Sequence, residues 1–320
     1  MSTGVAAVIV THNSAPEIGR CLQSLAGVDE IVVVDNASSD STVDAAREAR
    51  PDALILANRD NRGFAAAVNQ GVRATHSTLI ALLNPDVELC GPLSVDSALA
   101  QTALRSNVGL VGGRLDDENG DYQQGFGVRS LPTPGMLITE LLLVNRLWPG
   151  NPWNRRWRQA DLDPTCPQAC EQPAGAYWMF RRKTFDLVGG MDEGFYPLWF
   201  EDVDFCRRVT DAGFEVRYEP EPRALHAGGH SLRSLSARAR HLAWYRNLLR
   251  FSSKHYSRLA NWAVRAATFT GLAMRALAGF AGLGKRGDGR ACLQTIRSLI
   301  QRPDAVFGAT RGDLGRTPAA

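Results

Sequence analysis

Three carboxylates and an imidazole define the chemistry open to this chain. Phe200-Glu201-Asp202-Val203-Asp204 sets an acidic cluster beside aromatic residues, and His226 follows in His226-Ala227-Gly228-Gly229-His230-Ser231. Far upstream, Asn84-Pro85-Asp86 offers a further carboxylate. A base, an imidazole and an oxygen ligand are what a base-catalysed, metal-assisted transfer reaction needs. The pattern predicts one site assembled from distant parts of the chain.

The elements that must position these groups are legible as hydrophobic periodicity. Val5 to Val10 reads as a buried strand, Thr11-His12-Asn13-Ser14 as a loop and N-cap, and Ile18, Cys21, Leu22 and Leu25 as one helix face. Ile31 to Val34 is a second strand ending at Asp35-Asn36-Ala37-Ser38-Ser39-Asp40, followed by a helix over Thr42 to Ala49. Leu54 to Leu56 and Leu79 to Leu83 are further strands around a helix over Ala65 to Arg73, and the last strand runs directly into Asn84-Pro85-Asp86. Repeated βα units predict an α/β fold with a mostly parallel, Rossmann-like sheet and helices on both faces. Ligands of such sheets bind beyond the carboxyl ends of the strands, where this chain places Thr11, Asp35 and Asp86. No G-x-G-x-x-G follows the first strand, which argues against a nicotinamide oxidoreductase.

Further along, Val108 to Phe126 predicts strands around the polar turn Asp116-Asp117-Glu118-Asn119-Gly120. Leu131 to Pro173, rich in Pro, Trp and Arg, reads as an irregular lid or acceptor loop. Gly175-Ala176-Tyr177-Trp178 and Trp199-Phe200 are candidate apolar walls for a bound ligand, with core packing as the alternative. Asp204, Arg207 and Arg208 are expected to start a helix and form surface pairs.

With 320 residues, 44% hydrophobic and 22% charged, the chain can bury a full core and carry an appendage. Net charge is only +3, yet Arg223 to Arg290 contains 13 Lys or Arg against one acid, Asp288. Within it Leu259, Trp262, Ala266, Phe269, Ala273, Ala276 and Phe280 recur at helical spacing, with Arg265 and Arg275 making a spanning helix untenable. An amphipathic helix on a membrane surface, against a partner subunit or in a homo-oligomer accounts for this segment, with intramolecular core packing as the bland alternative. The expected division is a catalytic domain over 1–255 and a basic helical extension over 256–320. The start Met1-Ser2-Thr3-Gly4 lacks a basic leader, so cytoplasmic synthesis is expected. Of six cysteines only Cys166 and Cys170 are close, too weak a pattern for zinc. Without a stacking motif, nucleic acid is not an expected partner.

The ordered motifs Val8-Ile9-Val10-Thr11-His12-Asn13, Val33-Val34-Asp35-Asn36, Asn61-Arg62-Gly63-Phe64 with Asn69-Gln70-Gly71, Leu83-Asn84-Pro85-Asp86, Gly189-Gly190-Met191-Asp192-Glu193 and Phe200-Glu201-Asp202-Val203-Asp204 resemble the family-two inverting glycosyltransferases. Within them they resemble the rhamnosyltransferase-like branch of bacterial cell-wall and surface polysaccharide synthesis. The resemblance covers about residues 5 to 256 and implies a GT-A fold, a nucleotide-diphosphate-sugar donor, dTDP- or UDP-linked, and Mg²⁺ or Mn²⁺. Asp35 can accept from a pyrimidine imide N–H, the contact the family makes there, although an Asx-turn is an equally simple use for it. Thr11 and Asn13 are implied to border base and ribose, Arg62 and Gly63 precede a helix whose N-terminus can face phosphate, and Asn69 lies on that helix's face as a further donor-binding candidate.

Asp86 and His226 are the implied metal ligands, and Asn84 stands where the family usually has the first acid of Asp-x-Asp. His230 is the weaker alternative to His226. Asp202 is the implied general base, and Glu201 orients it or the acceptor. The basic, amphipathic C-terminal segment suggests as acceptor a glycan or polyprenyl-diphosphate-linked glycan at the inner face of the membrane, with the enzyme expected peripherally there. The competing reading is a non-catalytic nucleotide-sugar-binding or scaffold protein of a polysaccharide assembly complex, which Asn84 encourages.

Overall fold

A computed structural model of the chain describes residues 4–228, 236–283 and 288–301. Its strands are β1 (Val5–Thr11), β2 (Glu30–Asp35), β3 (Leu54–Ala57), β4 (Leu79–Leu83), β5 (Val87–Leu89), β6 (Val108–Asp116), β7 (Val128–Arg129), β8 (Gln168–Ala169), β9 (Gln172–Pro173), β10 (Tyr177–Arg181) and β11 (Glu215–His226). The helices are α1 (Ala15–Gln23), α2 (Thr42–Ala49), α3 (Phe64–Arg73), α4 (Ala98–Ala103), α5 (Pro134–Leu141), α6 (Val144–Leu147), α7 (Pro152–Trp157), α8 (Arg182–Leu187), α9 (Glu201–Asp211), α10 (Ala237–His255), α11 (Arg258–Phe280) and α12 (Asp288–Gln301).

The chain forms two compact units, where composition alone had suggested a single cut near residue 255. The first comprises Met1–Leu131, Arg158–Asp192 and Glu201–Ser234. Its main sheet runs β3-β2-β1-β4-β10-β6-β11-β5, with β8 added on β11. β3, β2, β1 and β4 are parallel, as the repeated βα units require. The order reverses at β1, with β2 on one side and β4 on the other, so a crevice opens beyond their carboxyl ends. β10 enters antiparallel between β4 and β6.

All of β1 is buried, because both faces of the sheet are covered. Val5, Ala7 and Ile9 pack with Ile18, Cys21 and Leu22 of α1, whereas Ala6, Val8 and Val10 pack with Val68 and Val72 of α3. The α3 contact is close: a Cβ on Gly71 would lie 2.5 Å from Val8 Cγ1 and 3.1 Å from Val34 Cγ2. Tyr177 and Trp178 are fully buried in β10, so they are core residues and not the expected ligand-facing walls. Tyr177 packs into the core on one face of the sheet and Trp178 into the core on the other, which leaves neither face to a ligand.

The second unit comprises Pro132–Trp157, Glu193–Phe200 and Leu235–Ala320. The stretch from Leu131 to Pro173, expected to be irregular, contains three short helices, the first capped by Thr133 Oγ1 accepting from Met136 N–H. Arg275 of α11 donates to the carbonyls of Glu140 and Leu141, satisfying the end of α5. In α10, buried Asn247 donates from Nδ2 to the carbonyls of Tyr196, Leu198 and Trp199 at 3.3, 2.8 and 3.2 Å. That clamp holds a left-handed pair, Trp199 at φ 78° and Phe200 at φ 69°, a backbone region bulky residues avoid.

Val264, Ala267, Thr268, Gly271, Leu272 and Ala276 form the buried side of α11. A second apolar side faces solvent: Leu259 is 83% exposed, Trp262 70%, Leu277 71% and Phe280 59%. Ala276, expected on that outer stripe, lies on the inner side instead. No helix among the described residues is long and apolar enough to cross a membrane.

Candidate active site

The carboxyl ends of β1 and β2 meet in register, Thr11 opposite Asp35. Thr11 Oγ1 donates to Asp35 Oδ1 at 2.9 Å, and Ser38 donates to Asp35 from both its hydroxyl and its N–H. Asp35 therefore does organise its own loop as an Asx-type turn. With three of about four acceptor sites used, one remains for an incoming N–H. Asn13, at φ 54°, accepts from Ser39 N–H at 2.8 Å, so it locks the two loops together. Asn36, absent from the sequence-derived site, is buried and donates to Gly63 O at 3.1 Å while its Oδ1 accepts from Asn58 Nδ2 at 3.1 Å. It ties the end of β2 to the loop before α3.

On that loop Gly63 is the N-cap of α3 at φ 83°, a conformation suited to glycine. Arg62 reaches Gln70 Oε1 at 3.4 Å from the same side. Asn69 was expected among the donor-binding residues. Instead it is buried, its Nδ2 donating to Met191 O and its Oδ1 accepting from Met191 N–H, both at 2.9 Å. Its helix face turns toward the Gly189-Gly190-Met191 segment, so Asn69 joins two motifs structurally.

After β4, Asp86 and His226 come together although 140 residues separate them in sequence. His226 Nε2 lies 3.6 Å from Asp86 Oδ1, and both side chains are almost wholly buried. The β5–β11 pairing sets this, with His226 opposite Val87. Gln123 Oε1 accepts from His226 Nδ1–H at 2.9 Å, and Gln123 Nε2 donates to His226 O at 2.7 Å. Phe126 stacks on the imidazole at 5.2 Å and 13°. With Nδ1–H directed at Gln123 Oε1, the Nε2 lone pair is aimed toward Asp86. One carboxylate and one imidazole nitrogen fit a divalent cation whose remaining positions go to water and a donor diphosphate. No group of three His, Cys, Asp or Glu ligands occurs among the described residues, so the protein would supply a partial shell. His230 lies outside the described residues.

Asn84 N–H donates to Ala176 O at 2.9 Å, joining the end of β4 to the turn before β10. On that turn, a Cβ on Gly175 would lie 3.2 Å from Asp202 Cβ, so the Asn84-Pro85-Asp86 and Glu201-Asp202 segments are neighbours through one turn. Asp202 opens α9, where the helix dipole favours acids. Its Oδ1 accepts from Val203 N–H at 2.8 Å and its Oδ2 from Gln172 Nε2 at 3.0 Å. Burial pushes its carboxyl above the ordinary range, against the opposing pull of these donors and of Arg129. Glu201 is buried, its Oε2 has no hydrogen-bond partner, and burial followed by the nearby Asp202 charge raises it well above the usual carboxylate range.

Arg207 and Asp211 do form an exposed pair at 2.8 Å. Asp204 corrects the expectation of a surface residue: it is fully buried and paired with Arg208 at 2.7 Å. Arg208 also donates to the carbonyls of Val188 and Gly190, which anchors α9 on the preceding turn.

A strand-end crevice, an Asp–His pair and an acid at a helix start are now in place, and the comparisons decide the family. Residues 6–188 match glycosyl transferase family 2. The chain belongs to that family. It is 30% identical over 244 residues to an N-acetylglucosaminyl-diphospho-decaprenol L-rhamnosyltransferase of Mycobacterium tuberculosis (strain CDC 1551 / Oshkosh), covering 70% of this chain and 76% of the relative. It is 26% identical to the low-salt glycan biosynthesis hexosyltransferase Agl10 of Haloferax volcanii, covering 65% of this chain and 62% of that one. In fold it is similar to GalNAc-T7, solved with UDP, GalNAc and Mn²⁺, at a TM-score of 0.54 and 16% identity over 77% of this chain and 47% of that chain. The family-two chain is thus a glycosyltransferase with a GT-A-like sheet.

Proposed function

We propose that this family-two enzyme transfers a sugar, rhamnose from dTDP-rhamnose, with inversion onto a hydroxyl of a polyprenyl-diphosphate-linked glycan. The observation that carries the reading is the convergence of Asp86 and His226 at 3.6 Å, with Asp202 joined to Asn84 through Gly175 and Ala176. Asp202 takes the proton from the acceptor hydroxyl as its oxygen attacks the anomeric carbon from the face opposite the nucleotide. The C–O bond to the diphosphate breaks in the same displacement. Asp86 and His226 would hold Mg²⁺ or Mn²⁺, which when bound neutralises charge on the departing diphosphate. Asp35 receives the base N–H at its remaining acceptor site, and Arg62 with the α3 N-terminus faces the phosphates.

The acceptor class is supported by the mycobacterial relative's name, which specifies a diphospho-decaprenol-linked sugar. Peripheral attachment to the inner face of the cytoplasmic membrane is supported by the exposed apolar side of α11 within the basic Arg223 to Arg290 segment. The test is calorimetric titration with dTDP-rhamnose, UDP-glucose, UDP-GlcNAc and NADH, each with Mn²⁺ and with EDTA. Metal-dependent binding of dTDP-rhamnose alone is the expected result. Tighter binding of a UDP-sugar reassigns the donor, and no response to any of them favours the scaffold reading.

A further inference from the structure

We infer that Gln172, backed by Arg129, is a positioning residue that sets the orientation and ionisation of Asp202. The inference rests on the reading of Asp202 as the base. Gln172 is buried and its Nε2 donates to Asp202 Oδ2 at 3.0 Å. It sits on β9, which pairs antiparallel with β7 so that Arg129 lies directly opposite Gln172. Residues opposite one another on such a ladder project to the same face, so amide and guanidinium approach Asp202 together. Arg129 is itself fixed, donating from Nε to Gly125 O at 2.7 Å, and its charge acts on Asp202 in the direction that favours the ionised form. The ribbon is held at its end by Ala174 N–H donating to Gly127 O at 2.9 Å.

The geometry gives Asp202 two donors, one per oxygen, Val203 N–H on Oδ1 and Gln172 on Oδ2. Each oxygen keeps a lone pair, and the carboxylate plane is set before the acceptor arrives. Gln172 is neutral, so it fixes that plane without adding charge beside the base. Burial alone would protonate Asp202 at higher pH and remove the base, and the amide and Arg129 oppose this.

The experiment compares wild type, Gln172→Met, Gln172→Glu, Arg129→Met and Asp202→Asn in the full chain. Turnover of dTDP-rhamnose with a short-chain polyprenyl-diphospho-N-acetylglucosamine is followed from about pH 5 to pH 9, with dTDP-rhamnose affinity and thermal midpoint measured alongside. Gln172→Met is expected to lower kcat roughly ten-fold and move the acidic limb of the profile up by about one pH unit, the effect of losing a donor to a charged group. Donor affinity stays at the wild-type value. Gln172→Glu moves the limb further, because a second carboxylate opposes ionisation. Arg129→Met moves it in the same direction. An inactive Asp202→Asn together with a wild-type limb in both Met variants overturns this inference alone. So does a loss of kcat that tracks donor affinity and thermal midpoint with the limb unmoved. Full activity in Asp202→Asn overturns the base assignment and this inference with it.

Discussion

Two adjacent carboxylates in this site are both raised by burial but have different hydrogen-bond partners, and that difference supports the roles proposed for them. Asp202 has a donor on each oxygen and a cationic neighbour, so it can carry charge. Glu201 has an orphaned buried oxygen and a carboxylate beside it, so it favours the protonated form. Asp202→Asn is expected to reduce kcat by about two to four orders of magnitude, the contribution of a general base, while leaving metal and donor binding intact. Calorimetry and turnover measured on one preparation check both halves of that statement.

For Glu201, folding raises the carboxyl pKa, so the folded state binds the extra proton. The associated stability is complete below the unfolded carboxyl pKa and is lost as pH rises through the folded value. Glu201→Gln is therefore expected to raise the thermal midpoint progressively as pH rises above the ordinary carboxylate range and to flatten its dependence on pH. A wild-type slope in that variant would assign the titration elsewhere. The residues that set the surroundings of Asp202 and of His226, Gln172 and Gln123, carry no local sequence signal. Gln172 meets Asp202 across 30 residues and Gln123 meets His226 across 103, distances over which no periodicity or spacing rule operates.

At the scale of elements, the β1–α1–β2–α2–β3–α3–β4 run follows from local patterns. Apolar β-branched strands and helices with one apolar face recur, and each loop polar enough to end a strand also carries a site residue. Their close fit is a separate matter of packing. Gly71→Ala is expected to destabilise the protein by about 1–3 kcal/mol, because its new methyl would meet Val8 inside van der Waals distance and the sheet cannot yield. Denaturant unfolding with an unchanged m-value would register it. Asn69 shows how an element uses a motif residue: the motif order placed it among donor-binding candidates, and the buried face of α3 turns its amide to Met191. Asp204 is a second case, taken from an assumed surface position into a buried pair by the seating of α9.

Considered as a whole molecule, the chain carries a modest net charge with strong local asymmetry. The proposed membrane attachment joins the cationic excess of Arg223 to Arg290 with the apolar outer side of α11. A variant with Trp262→Ser and Leu277→Ser is expected to sediment less with vesicles containing phosphatidylglycerol while keeping its thermal midpoint and donor affinity. Both side chains are about 70% exposed, so little of the folded packing depends on them. Unchanged sedimentation would show that the stripe does not bind lipid.

The sequence by itself determined the α/β class, the strand ends at which ligands gather, the family and the residues that could act as base and ligands. These are encoded in short-range periodicity and in motifs whose residue types carry their own chemistry. The tertiary structure alone decided which of them meet: Asp86 with His226, Asp202 with Gln172, Asn69 with Met191. It also decided which side of α11 stays in water. Those outcomes depend on strand pairing and on burial across the fold, where hydrogen bonds must be satisfied by whatever residue arrives, however far away it lies in the chain.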